Sequence, residues 1–239
     1  MPNSADLVFA AIVFVAWQSL DHFVFWPRSQ RRLAGGEAGA RTRVYWIIMA
    51  GLWLPTIFVA GRWMVLDRPW SALWLLPPRG WRLALGILIV LAVSALWRSQ
   101  DRKLARLSAE RRAALRARSA HLLPLAPHTS GEYGWWLCVS VTAGICEELL
   151  YRGFLVWVLQ PWLGLWWAAM VSVIVFGAVH AYQGKDMVRP TVVGALLQGF
   201  ALLTRSILPG VVVHAMLDVA TSGYSLAREP AGTASSLRP

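Results

Sequence analysis

"AGICEELLYRGF", residues 143–154, sets Glu147, Glu148 and Arg152 in the middle of an apolar run. The chain around it is 57% hydrophobic and only 15% charged, with fifteen tryptophans among 239 residues, the profile of a membrane protein. The stretch therefore poses a physical question: why bury two adjacent carboxylates and an arginine where nearly every neighbour is apolar?

Moving outward from it, apolar stretches long enough to cross about 30 Å of hydrocarbon recur along the chain, separated mostly by short, arginine-bearing segments punctuated by Pro and Gly. Spans are expected near 7–26, 44–64, 81–97, 133–159, 162–182, 190–204 and 207–222, the sixth short enough to be re-entrant. The fold class is all-α, a polytopic membrane bundle of about seven transmembrane helices with the active site in the C-terminal four. No room remains for a sizeable soluble domain. The expected organisation is three transmembrane helices and a basic linker over 1–128, a catalytic membrane domain over 129–224 and a disordered tail over 225–239. The first run lacks a small-residue cleavage site and reads as a retained helix rather than a signal peptide.

The net charge of +11 does not point to nucleic acid, because the basic residues flank apolar runs and do not gather on a soluble face. They read as topology signals. Arginines crowd segments 27–43 and 98–121, and Lys185 and Arg189 lie in 183–189, while the intervening loops are poorer in positive charge. An N-terminus outside and a C-terminus in the cytoplasm follow, with the bilayer a bacterial inner membrane. Segment 98–121 alternates Leu and Ala with arginine at helical spacing. It fits an amphipathic helix on anionic headgroups, with a solvated linker helix as the alternative. Cys138 and Cys146 lie about 12 Å apart along one helix, too far for a disulfide.

The span that carries the opening stretch has a marked start, since Thr129 and Glu132 stand at capping-box spacing just before the apolar run. Its ionisable residues are thus inside the membrane, each costing roughly 2.5–3.5 kcal/mol near a helix centre. Glu148 and Arg152, at i and i+4, can neutralise each other. Glu147 points about 100° away, with no basic residue one turn before or after it. A carboxylate so isolated and short of water suits a general base. His180 closes "FGAVH" late in the fifth span, and "HAMLD" puts His214 and Asp218 one turn apart on one face of the seventh. Glu147, His180, His214 and Asp218 could converge from three helices on one wet cavity. A plain interhelical ion-pair staple is the competing structural explanation.

"EELLYR", "FGAVH" and "HAMLD" resemble, in order, the Glu-Glu-x-x-x-Arg, Phe-x-x-x-His and His-x-x-x-Asn/Asp blocks of the CPBP family of intramembrane proteases, also called the CAAX protease and bacteriocin-processing or Abi family. They fall within residues 143–222, about a third of the chain. The resemblance implies an intramembrane endopeptidase, a hydrolase related to the CAAX prenyl endopeptidases. By it, Glu147 would activate water with His180 assisting, His214 and Asp218 would stabilise the oxyanion, and Glu148 and Arg152 would support the helix. These residue types suit peptide hydrolysis, which needs an activated water, a proton donor for the leaving amine and donors for the oxyanion.

Zinc on Glu147, His180 and His214 is the alternative chemistry. The chain has no His-Glu-x-x-His, and a metal-free glutamate mechanism is favoured. Asp218 stands where many members carry Asn. An ionised Asp only accepts hydrogen bonds, so it is either protonated, orients His214 or binds a cation. Cys146 is expected to be a small hydrophobe.

The expected partners are a membrane-anchored protein or peptide substrate and the bilayer itself. With 21 Arg against 2 Lys, the composition suggests a GC-rich bacterial source, and hence a bacteriocin precursor or a sorting-signal protein rather than a prenylated substrate. A non-catalytic self-immunity protein of the same family remains a second reading. A proton-coupled transporter is a third, disfavoured by the lack of repeat symmetry.

One geometric difficulty accompanies the three-helix site. With helix ends as drawn, Glu147 lies about 20 Å in from the cytoplasmic end of its helix, while His180 sits near the cytoplasmic end of the next. The two meet only if the fourth span starts deeper, at Trp135 and Trp136, or if the fifth continues past Tyr182.

Overall fold

The computed structural model describes residues 1–118 and 124–222, and the regular elements among them are all helical. The first helix, α1, covers Ser4–Ala34 and so overruns the expected 7–26 at both ends. Its start is a reciprocal cap: the Asn3 side chain accepts from the Asp6 backbone N–H, and the Asp6 carboxylate accepts from that of Asn3. Two widened π-type turns, Ile12–Trp17 and Asp21–Phe25, interrupt it.

Gly39, at φ 72°, turns the chain into α2, Ala40–Val65. Pro55 cannot donate to the helix ladder there, and the adjacent Thr56 hydroxyl bonds the Leu52 carbonyl at 2.8 Å. The connection after α2 dips into the bundle instead of skirting it. Leu73 is fully buried, the Trp74 carbonyl accepts from the Ile207 N–H at 3.0 Å, and the Leu76 carbonyl accepts from the Ser206 hydroxyl at 2.7 Å.

Helix α3, Trp81–Ala105, absorbs the start of the basic segment, and a separate helix α4, Ala109–Arg118, follows a break at 106–108. Segment 98–121 is therefore not one amphipathic helix. Its last residues, like the tail expected to be disordered over 225–239, lie outside the described residues.

Residues Ser130–Val179 form a helical run of 50 residues, about 75 Å if straight and more than twice the hydrocarbon thickness. It is not straight, because Gly164 adopts φ 72° and ψ 165° three residues after Pro161. The break gives α5, residues 130–163, and α6, residues 165–179. Helix α6 returns along α5, with the Ser172 hydroxyl donating to the Tyr151 carbonyl at 2.8 Å and the Phe176 ring edge-on to Tyr151 at 5.1 Å. A 3₁₀ segment, Ala181–Met187, leads to α7, Val188–Thr204, and a left-handed turn at Arg205 leads to α8, Leu208–Ala220.

Among the described residues, five helical runs are long and apolar enough to cross a membrane, the α5–α6 pair counting as one, and α8 is a shorter apolar helix. The all-α membrane bundle expected from the sequence is what the chain forms. Its core draws on the N-terminal and C-terminal helices alike: Val59 and Trp63 of α2, Leu73 of the inserted connection, Phe154 of α5, Phe176 of α6 and Ala201 of α7 share one buried cluster.

Candidate active site

Glu148 is fully buried in a widened π-type turn, Glu148–Leu155, of α5. Its Oε1 lies 3.1 Å from Arg152 Nη1, as the i, i+4 spacing predicts. The same oxygen accepts from His214 Nδ1 at 2.9 Å, a contact 66 residues away in sequence that the spacing could not show. Glu148 is thus more than a helix support, because it also fixes the His214 ring. Helices α5 and α8 come this close because glycines line the approach. A Cβ on Gly144 would stand 2.7 Å from the Val211 carbonyl oxygen, and one on Gly210 would stand 2.9 Å from Glu148 Oε2.

Arg152 is held from three sides. Its Nη2 donates to the Gly194 carbonyl at 3.0 Å, and its guanidinium lies 4.2 Å from the Phe176 ring centroid. Phe176 opens the "FGAVH" block, so its position was quoted in the motif while its task, packing between Arg152 and both histidine rings, was missed.

With Nδ1 against the Glu148 carboxylate, His214 turns Nε2 toward Glu147 and Asp218. The separations are 3.7 Å to Glu147 Oε2 and 3.9 Å to Asp218 Oδ2. Both exceed hydrogen-bond reach, and an oxygen atom set to one side could bridge either gap.

His180 caps the end of α6, and its Nδ1 donates to the Phe176 carbonyl at 2.8 Å, leaving Nε2 free. Glu147 and His180 line one cavity of about 380 Å³, whose opposite wall is made by α1 and α2. The depth difficulty thus resolves through unequal helix lengths. Helix α6 stops at Val179 and does not continue past Tyr182, but the Ser172–Tyr151 contact sets its end level with the middle of α5. The N-terminal part of α5, which begins behind the Thr129–Glu132 capping box, projects beyond it.

His214 stands between Glu147, Glu148 and Asp218, and Glu147 also shares the cavity with His180, whereas His214 and Asp218 do not line it. Cys146 is fully buried and free of any disulfide. Among the described residues no three His, Cys, Asp or Glu side chains stand together as a group able to hold a metal ion. In the set offered for zinc, each histidine gives Nδ1 to an oxygen, Glu148 Oε1 or the Phe176 carbonyl, which leaves Nε2 as the free ring nitrogen.

Residues 129–220 match the family model described as Rce1-like, type II CAAX prenyl endopeptidase. The match begins at the N-cap of α5 and ends with α8, so it contains the whole Glu147, Glu148, Arg152, His180, His214, Asp218 constellation. No curated protein and no solved structure matches the chain.

Proposed function

We propose, for a chain whose residues 129–220 belong to the Rce1-like family of CAAX-type intramembrane proteases, an endopeptidase that cuts a membrane-anchored protein or peptide. The observation that carries this reading is the split between the two neighbouring carboxylates. Glu148 is engaged by Arg152 and His214, while Glu147 has no donor within hydrogen-bond distance among the described residues and faces the cavity.

Glu147 takes a proton from a water molecule, and the free Nε2 of His180 accepts that water's other hydrogen and orients it. The hydroxide adds to the scissile carbonyl carbon. Protonated His214, held by Glu148 through Nδ1 and flanked by Asp218, donates from Nε2 to the oxyanion. Collapse of the tetrahedral adduct breaks the C–N bond, and the proton held by Glu147 passes to the leaving amine. Glu148 and Arg152 touch no reacting atom in this scheme and act by positioning His214.

The bilayer is proposed to be a bacterial inner membrane, with the N-terminus outside and the C-terminus cytoplasmic, supported by the arginine-rich segments. The same bias supports contact of α4 with anionic headgroups.

The test compares wild type, Glu147→Gln and His180→Ala, each incubated with membrane fractions from a strain lacking the gene, with and without chelator. New protein termini are mapped by mass spectrometry. Termini that form only with wild type, chelator present or not, are the expected result and name the substrate. Identical termini from Glu147→Gln would reduce the buried carboxylates to a structural staple.

A further inference from the structure

The wall opposite Glu147 and His180 belongs to residues 13–55, outside the segment matched to the protease family, and it carries a carboxylate of its own. Asp21 opens the second π-type turn of α1 and lines the cavity together with Gln18 one turn earlier. Both are half-buried, and neither side chain makes a hydrogen bond or ion pair with any described residue. His22, the next residue, sets its ring edge-on to Phe23 at 4.9 Å.

The charge of this cavity runs against that of the molecule. The chain has 23 Lys and Arg against 12 Asp and Glu, yet the described lining holds two carboxylates, Asp21 and Glu147, and no Lys or Arg. Aromatic rings stand beside Asp21. Trp17 and Phe25 pack at 5.9 Å, and Trp26 packs at 4.6 Å on Tyr182, tying α1 to the turn that follows His180. An unpaired, half-buried carboxylate among aromatic rings suits a cation, and a guanidinium best, since it can be hydrogen-bonded and stacked together.

We infer that Asp21 is a specificity-determining residue that receives an arginine or lysine side chain of the substrate while the scissile bond lies against Glu147. This rests on the cavity being the substrate site of the proposed endopeptidase. The two carboxylates then divide the work: Glu147 faces the bond to be cut, and Asp21 sets which residue is presented beside it. Selectivity resides in a helix that the reaction-bearing segment does not include.

The test uses full-length protein in nanodiscs and apolar peptides bearing one arginine, moved a position at a time, with norleucine in its place as control. Binding is measured on Glu147→Gln protein, so that it does not depend on turnover. At one position the arginine peptide should bind at least about tenfold tighter than its control, the scale of one charge-assisted hydrogen bond. Adding Asp21→Asn should bring that ratio toward one, and Asp21→Glu should keep it, which a merely structural role would not do. Equal binding of arginine and norleucine peptides at every position overturns the inference without needing any Asp21 variant. A ratio that survives Asp21→Asn does so as well. Cleavage of the same peptides by wild type is scored separately: absence of any cut sinks the endopeptidase, while the charge preference is judged on binding alone.

Discussion

Asp6 and Glu148 are both fully buried carboxylates beside arginine, yet Asp6 accepts five hydrogen bonds and Glu148 accepts one. Around Asp6, Arg62 and Arg68 close in at 2.9 and 2.7 Å, and Arg68 lies against the adjoining Trp63 and Trp157 rings. Every lone pair has a donor, so the cluster ties the start of α1 to the end of α2 and offers nothing to a substrate. Around Glu148, Oε2 has no hydrogen-bond partner among the described residues, nor do Arg152 Nε and Nη1, the last within ion-pair distance but misaligned. His214 Nε2 and Glu147 stand just out of mutual reach. The difference teaches that burial of charge alone does not mark a site: a closed cluster is a staple, whereas one left short of partners has capacity to bind and react.

The comparison breaks most sharply at Glu147. Glu147→Gln should lower kcat/KM by about 10²–10⁴, the usual worth of a general acid–base group, while the thermal unfolding midpoint stays level or rises, because the carboxylate removed accepts no hydrogen bond from the described residues. A variant that loses both activity and stability would make Glu147 part of the packing. Arg152→Met goes the other way. It strands Glu148 beside His214 and should cost roughly 3–5 kcal/mol of stability, read by denaturation in detergent, with activity falling as His214 loses its fixed orientation.

Asp6→Asn should cost less, about 1–3 kcal/mol, although Asp6 gathers more bonds. Arg62 and Arg68 keep 25% and 12% side-chain exposure, so both can turn toward water once the carboxylate is gone. Turnover per folded molecule should be unchanged, because Asp6 lies outside the site cavity. Loss of activity at full stability would show that the two clusters communicate.

Much of this contrast was legible in sequence, and its limits have physical causes. The three motif blocks, the Glu148–Arg152 spacing and the Thr129–Glu132 capping box are local patterns, and each forms as read. The Asp6 cluster was not read, because its arginines come from 56 and 62 residues away and a single Asp near the start of an apolar run looks like a boundary. The Glu148–His214 bond is also non-local. Its trace in the sequence is a pair of small residues, Gly144 and Gly210, each four positions before a partner and each placed so that two helices can touch. The helix ends failed where the backbone departs from a straight rod. Gly164 divides a continuous helical run, and α6 ends at Val179, which is why the depths of Glu147 and His180 looked incompatible. The α1 wall of the cavity carries no motif, and its Asp21 becomes conspicuous only opposite Glu147.

The smallest expected effect sharpens the comparison by supplying its exposed limit. Arg43 and Glu37 form a close ion pair at the turn between α1 and α2, but their side chains are 59% and 43% exposed. Water and salt screen the attraction, and holding two long side chains in one geometry costs rotamer entropy, so Glu37→Gln should change stability by no more than about 0.5 kcal/mol. The three ion pairs then form a series in which the cost of breaking the pair follows the desolvation of the charge left behind. That charge is Glu148 with no route to water, the two arginines of the Asp6 cluster with a partial one, and Arg43 already solvated. If Glu37→Gln cost as much as Asp6→Asn, solvent access would not be the variable that separates them. The assignment of the Asp6 cluster as a closed staple and of the Glu148 cluster as a strained, reactive one would then lose its physical basis.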